Sequence, residues 1–279
     1  MAIVREIETR DYVSKSNLPQ SDFVINPYGG CLHGCKYCYA RFMKRFNKHE
    51  EDWGEYLDVK RCRVPIIRPQ LEGADVTLCS VTDPYNPAEE KYGLTRMVLA
   101  QLANVNCNLY VLTKSKLILR DLNLLKKQKN LVVAISLNTL DESFRADMDR
   151  ASTVQERLDT IRTLHSEGIY TVLFCSPMFP GITNYREMID ATREFVCEYW
   201  FEDLNLRGEY RPVILSYIRE KYPHLVRMYN SIYTLKDTTY WRNVELAFST
   251  YCESQGITYL SAFSHSTLVA KRKEGQKWR

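Results

Sequence analysis

No run of about 18 consecutive apolar residues occurs in the 279-residue chain, so no segment reads as a membrane-crossing helix. The amino-terminal stretch MAIVREIETRDY lacks the apolar centre that a secretory signal requires. A cytoplasmic location with no membrane partner is the expectation. No internal repeat, low-complexity tract, helix-turn-helix or RNA-binding motif is present, which removes solenoids and the common nucleic-acid-reading modules. Charge of one sign is also scarce: 38 Lys and Arg meet 34 Asp and Glu for a net of +4. Most of that excess lies in the final KRKEGQKWR, where a solvated basic tail is the ordinary reading. Paired cysteine spacing is missing too. The nine cysteines are an odd number, and Cys62, Cys79, Cys107, Cys175, Cys197 and Cys252 fall irregularly in apolar or helical stretches. A secreted disulfide framework is therefore a poor fit, and those six read as reduced residues of a core.

What is present is a globular composition, 45% hydrophobic and 26% charged, with a regular alternation of element signals. Four short apolar runs have the length and β-branched content of buried strands: DVTLCSV (75–81), NLYVLT (108–113), LVVAISL (131–137) and IYTVLFCSP (169–177). Helical spacing follows them. Leu94, Val98, Leu102 and Val105 recur at intervals of three and four, Leu117, Leu119, Leu122 and Leu125 share one side, and Val154, Leu158, Ile161 and Leu164 repeat the pattern before a capping Gly168. Strand and helix alternate, so the fold class is α/β with a parallel sheet, closed as a full or partial barrel or left open. In each of these arrangements reactive groups gather at the carboxyl ends of the strands. Those ends carry Ser80, Thr82 and Asp83, then Thr113 and Lys114, then Ser136 and Asn138, and finally Ser176 with Pro177. From about residue 207 the pattern turns mostly helical, and ITYLSAF is a candidate last strand. The expected organisation is a barrel over 1–206 and a helical extension over 207–279 that packs on it.

CLHGCKYCYARF (31–42) holds Cys31, Cys35 and Cys38 without a fourth cysteine nearby. Thiolates suit soft metal centres, and structural zinc usually takes four ligands. His33 could complete a zinc site only from inside a tight loop. A [4Fe–4S] cube held at three corners leaves its fourth iron open to another ligand. The spacing Cys-x-x-x-Cys-x-x-Cys, with aromatic Tyr37 before the third cysteine, resembles the signature of the radical S-adenosylmethionine (SAM) enzymes. That resemblance implies a [4Fe–4S] cluster whose open iron binds SAM, reductive cleavage of SAM to a 5′-deoxyadenosyl radical, hydrogen abstraction from a substrate, and an electron donor such as a flavodoxin or ferredoxin.

The longer NPYGGCLHGCKYCYARF, with SVTDPYNPAEEKYGLTR (80–96), VLTKSKLILRDLNLL (111–125), VVAISLNTLDESFR (132–145) and SPMFPGITN (176–184), is similar to the spore photoproduct lyase-like branch. The implied fold is a partial (β/α)6 barrel of the TIM type with a helical C-terminal extension. Carried over residue by residue, the backbone of Tyr37 meets the adenine, Lys114 and Ser136 contact SAM, and Ser80, Thr82 and Asp83 lie where the SAM amino group is bound. Asn138 offers an amide to ribose or carboxylate oxygens, and Asp83 alternatively opens a turn at Pro84. His33 takes a supporting place beside the cluster and Arg41 balances its charge. Tyr39 matches a tyrosine that assists hydrogen return in the lyase. The cysteine that returns the hydrogen there is replaced by Ser80, and strand alternation should turn the preceding Cys79 to the opposite face. A serine O–H is a poor hydrogen donor, so repair of the photoproduct is not expected. DMDRAS (147–152) also departs from the Glu-Pro-Arg-Ala-like stretch of many relatives. A nucleic acid or a modified peptide is the expected substrate class. The alternative is a zinc-stabilised nucleic-acid-binding module without catalysis.

Overall fold

The computed structural model describes residues 2–261. Its strands are β1 (Ile3–Glu8), β2 (Val13–Lys15), β3 (Phe23–Ile25), β4 (Tyr28–Gly30), β5 (Tyr56–Arg61), β6 (Asp75–Leu78), β7 (Asn108–Thr113), β8 (Asn130–Ser136), β9 (Tyr170–Met178), β10 (Glu198–Asp203) and β11 (Tyr259–Ser261). Its α-helices are α1 (Lys44–Asn47), α2 (Glu89–Tyr92), α3 (Leu94–Leu102), α4 (Leu122–Leu125), α5 (Glu142–Met148), α6 (Val154–Ser166), α7 (Tyr185–Thr192), α8 (Tyr210–Lys221), α9 (Val226–Tyr233) and α10 (Thr239–Ser254). The basic tail noted above lies outside the described residues.

Eight strands form one sheet in the order β11-β10-β9-β8-β7-β6-β3-β2. Every pairing is parallel except β2 with β3. The two end strands do not pair with each other, so the sheet is a partial barrel rather than a closed one. A second sheet, β1-β5-β4, frames the chain around residues 31–38. The four strands expected from short apolar runs are all present, and β10 and the small sheet were not anticipated. The leucine run 117–125 differs from expectation. It forms a 3₁₀ turn over Lys116–Asp121 and then the single turn α4, because the Ser115 hydroxyl accepts the Leu117 N–H and starts the segment tightly.

Period-two alternation divides the side chains of the sheet. Leu109, Val111, Val133, Ile135, Leu173, Cys175, Tyr199 and Phe201 enter the main core with α3, α6 and α10. Tyr110, Val132, Ala134, Val172 and Trp200 form a separate inner cluster on the other face. A third cluster joins Cys35 and Tyr37 to Phe144, Phe179 and apolar residues of α8 and α9. The two helices therefore cap the cysteine loop, while Phe248 and Cys252 of α10 sit fully buried in the main core. No described helix is long and apolar enough to cross a membrane.

Candidate active site

At the carboxyl ends of the strands the inner face opens into a cavity of about 440 Å³. Its floor is Leu112, Phe174 and Trp200, which share the inward parity of β7, β9 and β10. Ser136, Ser176 and Glu202 continue the same parity one step higher, so their positions follow from the pleat. The Ser176 hydroxyl donates to Glu202.

Cys31, Cys35 and Cys38 all line this cavity, the first two buried and the third partly exposed. Gly34 makes the loop possible: its φ of +59° is left-handed, and a Cβ there would meet the Arg150 guanidinium at 2.6 Å. Burial pushes the Cys35 thiol well above its ordinary range, with the Asp149 carboxylate adding to the effect. Burial likewise raises Cys38 to about 12. Cys31 moves the other way: burial opposes ionisation, but the neighbouring His33 outweighs it and lowers the thiol. His33 is buried and its Nδ1 lies 3.3 Å from Asp83 Oδ2. Burial disfavours its charged form, yet Asp83 and Cys31 together raise it to about 10.

The other expected residues divide into two groups. Tyr37, Tyr39, Ser80, Thr82, Asp83, Lys114 and Ser136 line the cavity together with the thiols. Asn138 does not. Its side-chain amide donates to the Pro177 carbonyl at 3.0 Å and its backbone carbonyl accepts from Thr183, so it ties two loops together.

Asp83 lines the cavity and is also fastened within the protein, in keeping with the turn at Pro84 that the sequence allowed. Its oxygens accept from the Thr113 hydroxyl (2.6 Å), the Tyr85 N–H (2.8 Å) and the Lys114 N–H (2.9 Å), with His33 alongside. Three donors from the ends of β6 and β7 make Asp83 an anchor between them. The turn at Pro84 is part of the same arrangement.

Tyr39 is half exposed, and its hydroxyl donates to the Ser80 carbonyl. Lys114 Nζ stands 5.8 Å from the centre of the Tyr37 ring. Cys79 departs from regular strand geometry. β6 stops at Leu78, Cys79 has φ +63°, and the residue lines the same cavity as Ser80. A left-handed residue breaks the period of two, and Cys79 packs into the main core while also lining the cavity.

Trp53 and the end of β10 were not anticipated. Trp53 packs with Cys31, Ala40 and Tyr56, and Asp203, Arg207 and Tyr210 close the far rim of the cavity. The aromatic run YWF (199–201), flanked by Glu198 and by Glu202-Asp203, carried a strand signal that marks this edge. Trp53 and Thr82 each line the cavity with a buried polar atom that has no partner in the polypeptide. Such atoms cost free energy unless a bound group satisfies them, and together with three thiols lining the same cavity they fit a cofactor site.

A curved parallel sheet with a thiol-bearing loop at the mouth of its inner cavity defines a cofactor-dependent α/β enzyme. The chain belongs to the Radical SAM superfamily, whose family model matches residues 25–196. It is a radical SAM enzyme, and the family as a whole uses SAM and an iron–sulfur cluster. An uncharacterized protein of Methanocaldococcus jannaschii is 32% identical over 219 residues, covering 78% of this chain and 83% of that one. A radical SAM Nα-GlyT isomerase of Pseudomonas phage M6 is 26% identical over 176 residues, 59% of this chain and 35% of the phage protein.

Among solved structures, spore photoproduct lyase complexed with dinucleoside spore photoproduct aligns with a TM-score of 0.57 at 14% identity, covering 79% of this chain and 66% of the lyase. Streptococcus suis SuiB bound to S-adenosylmethionine aligns with a TM-score of 0.59 at 15% identity, covering 87% of this chain and 50% of SuiB. At these identities the structural likeness shows the fold alone.

Proposed function

We propose that the chain holds a [4Fe–4S] cluster on Cys31, Cys35 and Cys38 and cleaves SAM reductively in the adjoining cavity to begin hydrogen abstraction from a substrate. The observation that carries this reading is the meeting of the three thiols with Tyr37, Ser80, Thr82, Lys114 and Ser136 around one cavity. Held by Cys31, Cys35 and Cys38, such a cluster would supply the low-potential electron for reductive cleavage of SAM to methionine and a 5′-deoxyadenosyl radical.

The residues around it do the holding. Cys31, Cys35 and Cys38 would bind iron as thiolates, so loading releases their protons and is favoured by rising pH. Lys114 brings a compact positive charge to the amino-acid end of SAM, and the Ser80, Thr82 and Ser136 hydroxyls supply donors and acceptors for its amine, carboxylate and ribose. The apolar floor of Leu112, Phe174 and Trp200 keeps water from the reacting carbon. The electron donor is a low-potential protein of the flavodoxin or ferredoxin kind.

A single zinc ion is the weaker reading. Among the described residues no group of three or more His, Cys, Asp or Glu side chains converges closely enough to hold one metal ion, and His33 is occupied with Asp83. A cube would take its three thiolates on separate irons, so it does not need them to meet at a single point. The substrate is a nucleic acid or a modified peptide; the lyase and SuiB relatives stand one on each side of that choice.

Anaerobic reconstitution tests the reading: about four irons and four sulfides per chain, and 5′-deoxyadenosine on reduction with SAM. One zinc per chain in a colourless protein would contradict it. Deuterated candidate substrates then identify the hydrogen removed, by transfer of label into 5′-deoxyadenosine.

A further inference from the structure

Residues 148–150 run along the cysteine loop as a strap. The Lys36 N–H donates to the Met148 carbonyl at 2.8 Å, and the Arg150 N–H donates to the His33 carbonyl at 2.9 Å. Two backbone bonds thus clasp the loop on either side of Cys35. Between them, the Asp149 side chain is buried to 1% exposure and accepts from the Tyr37 hydroxyl at 3.2 Å.

Arg157 on α6 completes the arrangement, and its side chain is also only 1% exposed. Its Nη2 donates to Asp149 Oδ1 at 2.5 Å, its Nη1 to the Ser136 carbonyl at 3.2 Å, and its Nε to the Ser152 carbonyl at 2.9 Å. A buried charge pair of this kind is weak evidence for stability, because desolvation offsets much of the attraction. Its geometry is what stands out. One guanidinium reaches the end of β8, where Ser136 lies, and one carboxylate reaches the aromatic residue inside the Cys35–Cys38 turn.

We propose that Asp149, held by Arg157, is a positioning residue that sets the cofactor-binding face of the cysteine loop by fixing Tyr37 against the end of β8. The inference rests on the SAM site proposed above and adds to it the device that aligns its two halves. Tyr37 is held from three directions: Asp149 at its hydroxyl, Phe179 edge-on at 5.7 Å, and Lys114 5.8 Å from its ring centre. Only the first of these is a directional bond that also reaches Ser136, through Arg157. Releasing it leaves the thiols in place and loosens the backbone of residues 36–38 relative to Ser136 and Lys114.

The test uses the full chain, reconstituted with iron and sulfide. Tyr37→Phe removes one hydroxyl and leaves the ring packed. It is expected to load as much iron as the parent and to bind SAM about tenfold more weakly, the scale of one hydrogen bond to a charged group. Asp149→Asn keeps the shape and removes the charge, and should weaken SAM at least as much. The double variant should be no weaker than Asp149→Asn alone, because Tyr37 acts through Asp149. Phe248→Ala, remote from the cavity, serves as a destabilised control whose SAM affinity stays at the parent value.

Iron-loaded Tyr37→Phe that binds SAM as tightly as the parent overturns the proposal, whatever its melting temperature. Additive losses in the double variant do the same. Should Asp149→Asn fail to fold, Tyr37→Phe decides alone. A parent chain that takes up no iron instead overturns the cluster reading beneath, and iron analysis distinguishes that failure from this one.

Discussion

The inner and outer faces of the same strands are built on different terms. On the outer face of β7 to β10, Leu109, Val111, Val133, Ile135, Leu173 and Phe201 interlock with helices in a continuous apolar core. On the inner face the apolar residues stop at Leu112, Phe174 and Trp200, and Ser136, Ser176 and Glu202 stand above them. Outer positions are interchangeable in kind, provided volume is kept. Inner positions and the loops beyond them are held by directional bonds: Asp83 to Thr113, Asp149 to Tyr37, and Arg150 to the Gly54 carbonyl. The lesson is that stability and chemistry are separated by one residue of strand register, so they should respond separately to mutation.

Cys35→Ala should show the largest effect, on the inner side alone. Loss of one of three thiolates should reduce both iron content and 5′-deoxyadenosine formation by about a hundredfold or more, while the iron-free chain keeps its melting temperature, because a small buried residue replaces another. Full SAM cleavage in this variant would erase the contrast.

Phe248→Ala should do the reverse. Phe248 is fully buried in the outer core, so its removal is expected to cost about 3–5 kcal/mol in urea unfolding with iron loading unchanged.

Paired glycines offer a finer comparison. Gly54 has φ +99°, and a Cβ there would stand 2.7 Å from the Gly34 Cα and 2.4 Å from the Arg150 guanidinium. Gly256 has φ +63° and open space around it. Gly54→Ala should cost about 3 kcal/mol and disturb the cysteine loop, against about 1 kcal/mol and no effect on SAM for Gly256→Ala. Equal costs would mean that strain, not contact with the loop, governs position 54.

Cys79→Ser is expected to do least. The residue lines the cavity but is not one of the loop thiols, so iron content and SAM affinity should stay within about twofold. A large loss of iron would show that the three-thiol set is incomplete.

The outer face was the legible part of the sequence. Strands β6 to β9 and helices α3 and α6 follow from apolar spacing, because burial against helices demands that spacing. The cysteine motif was equally plain. Polar fastening was not, since its partners are far apart in sequence: Tyr37 and Asp149 are 112 positions apart, and Arg150 and Gly54 are 96 apart. Nor could the sequence show that Asn138, at a strand end, turns its amide to the Pro177 carbonyl. The left-handed backbone of Cys79, which interrupts strand alternation, was equally invisible in the sequence.

The central claim is that the three loop thiols hold a cluster with one corner open to SAM. Electron paramagnetic resonance of the reduced, reconstituted chain tests it most directly. The account predicts an iron–sulfur signal whose shape changes when SAM is added. A chain with no such signal, or with a signal indifferent to SAM, would contradict it.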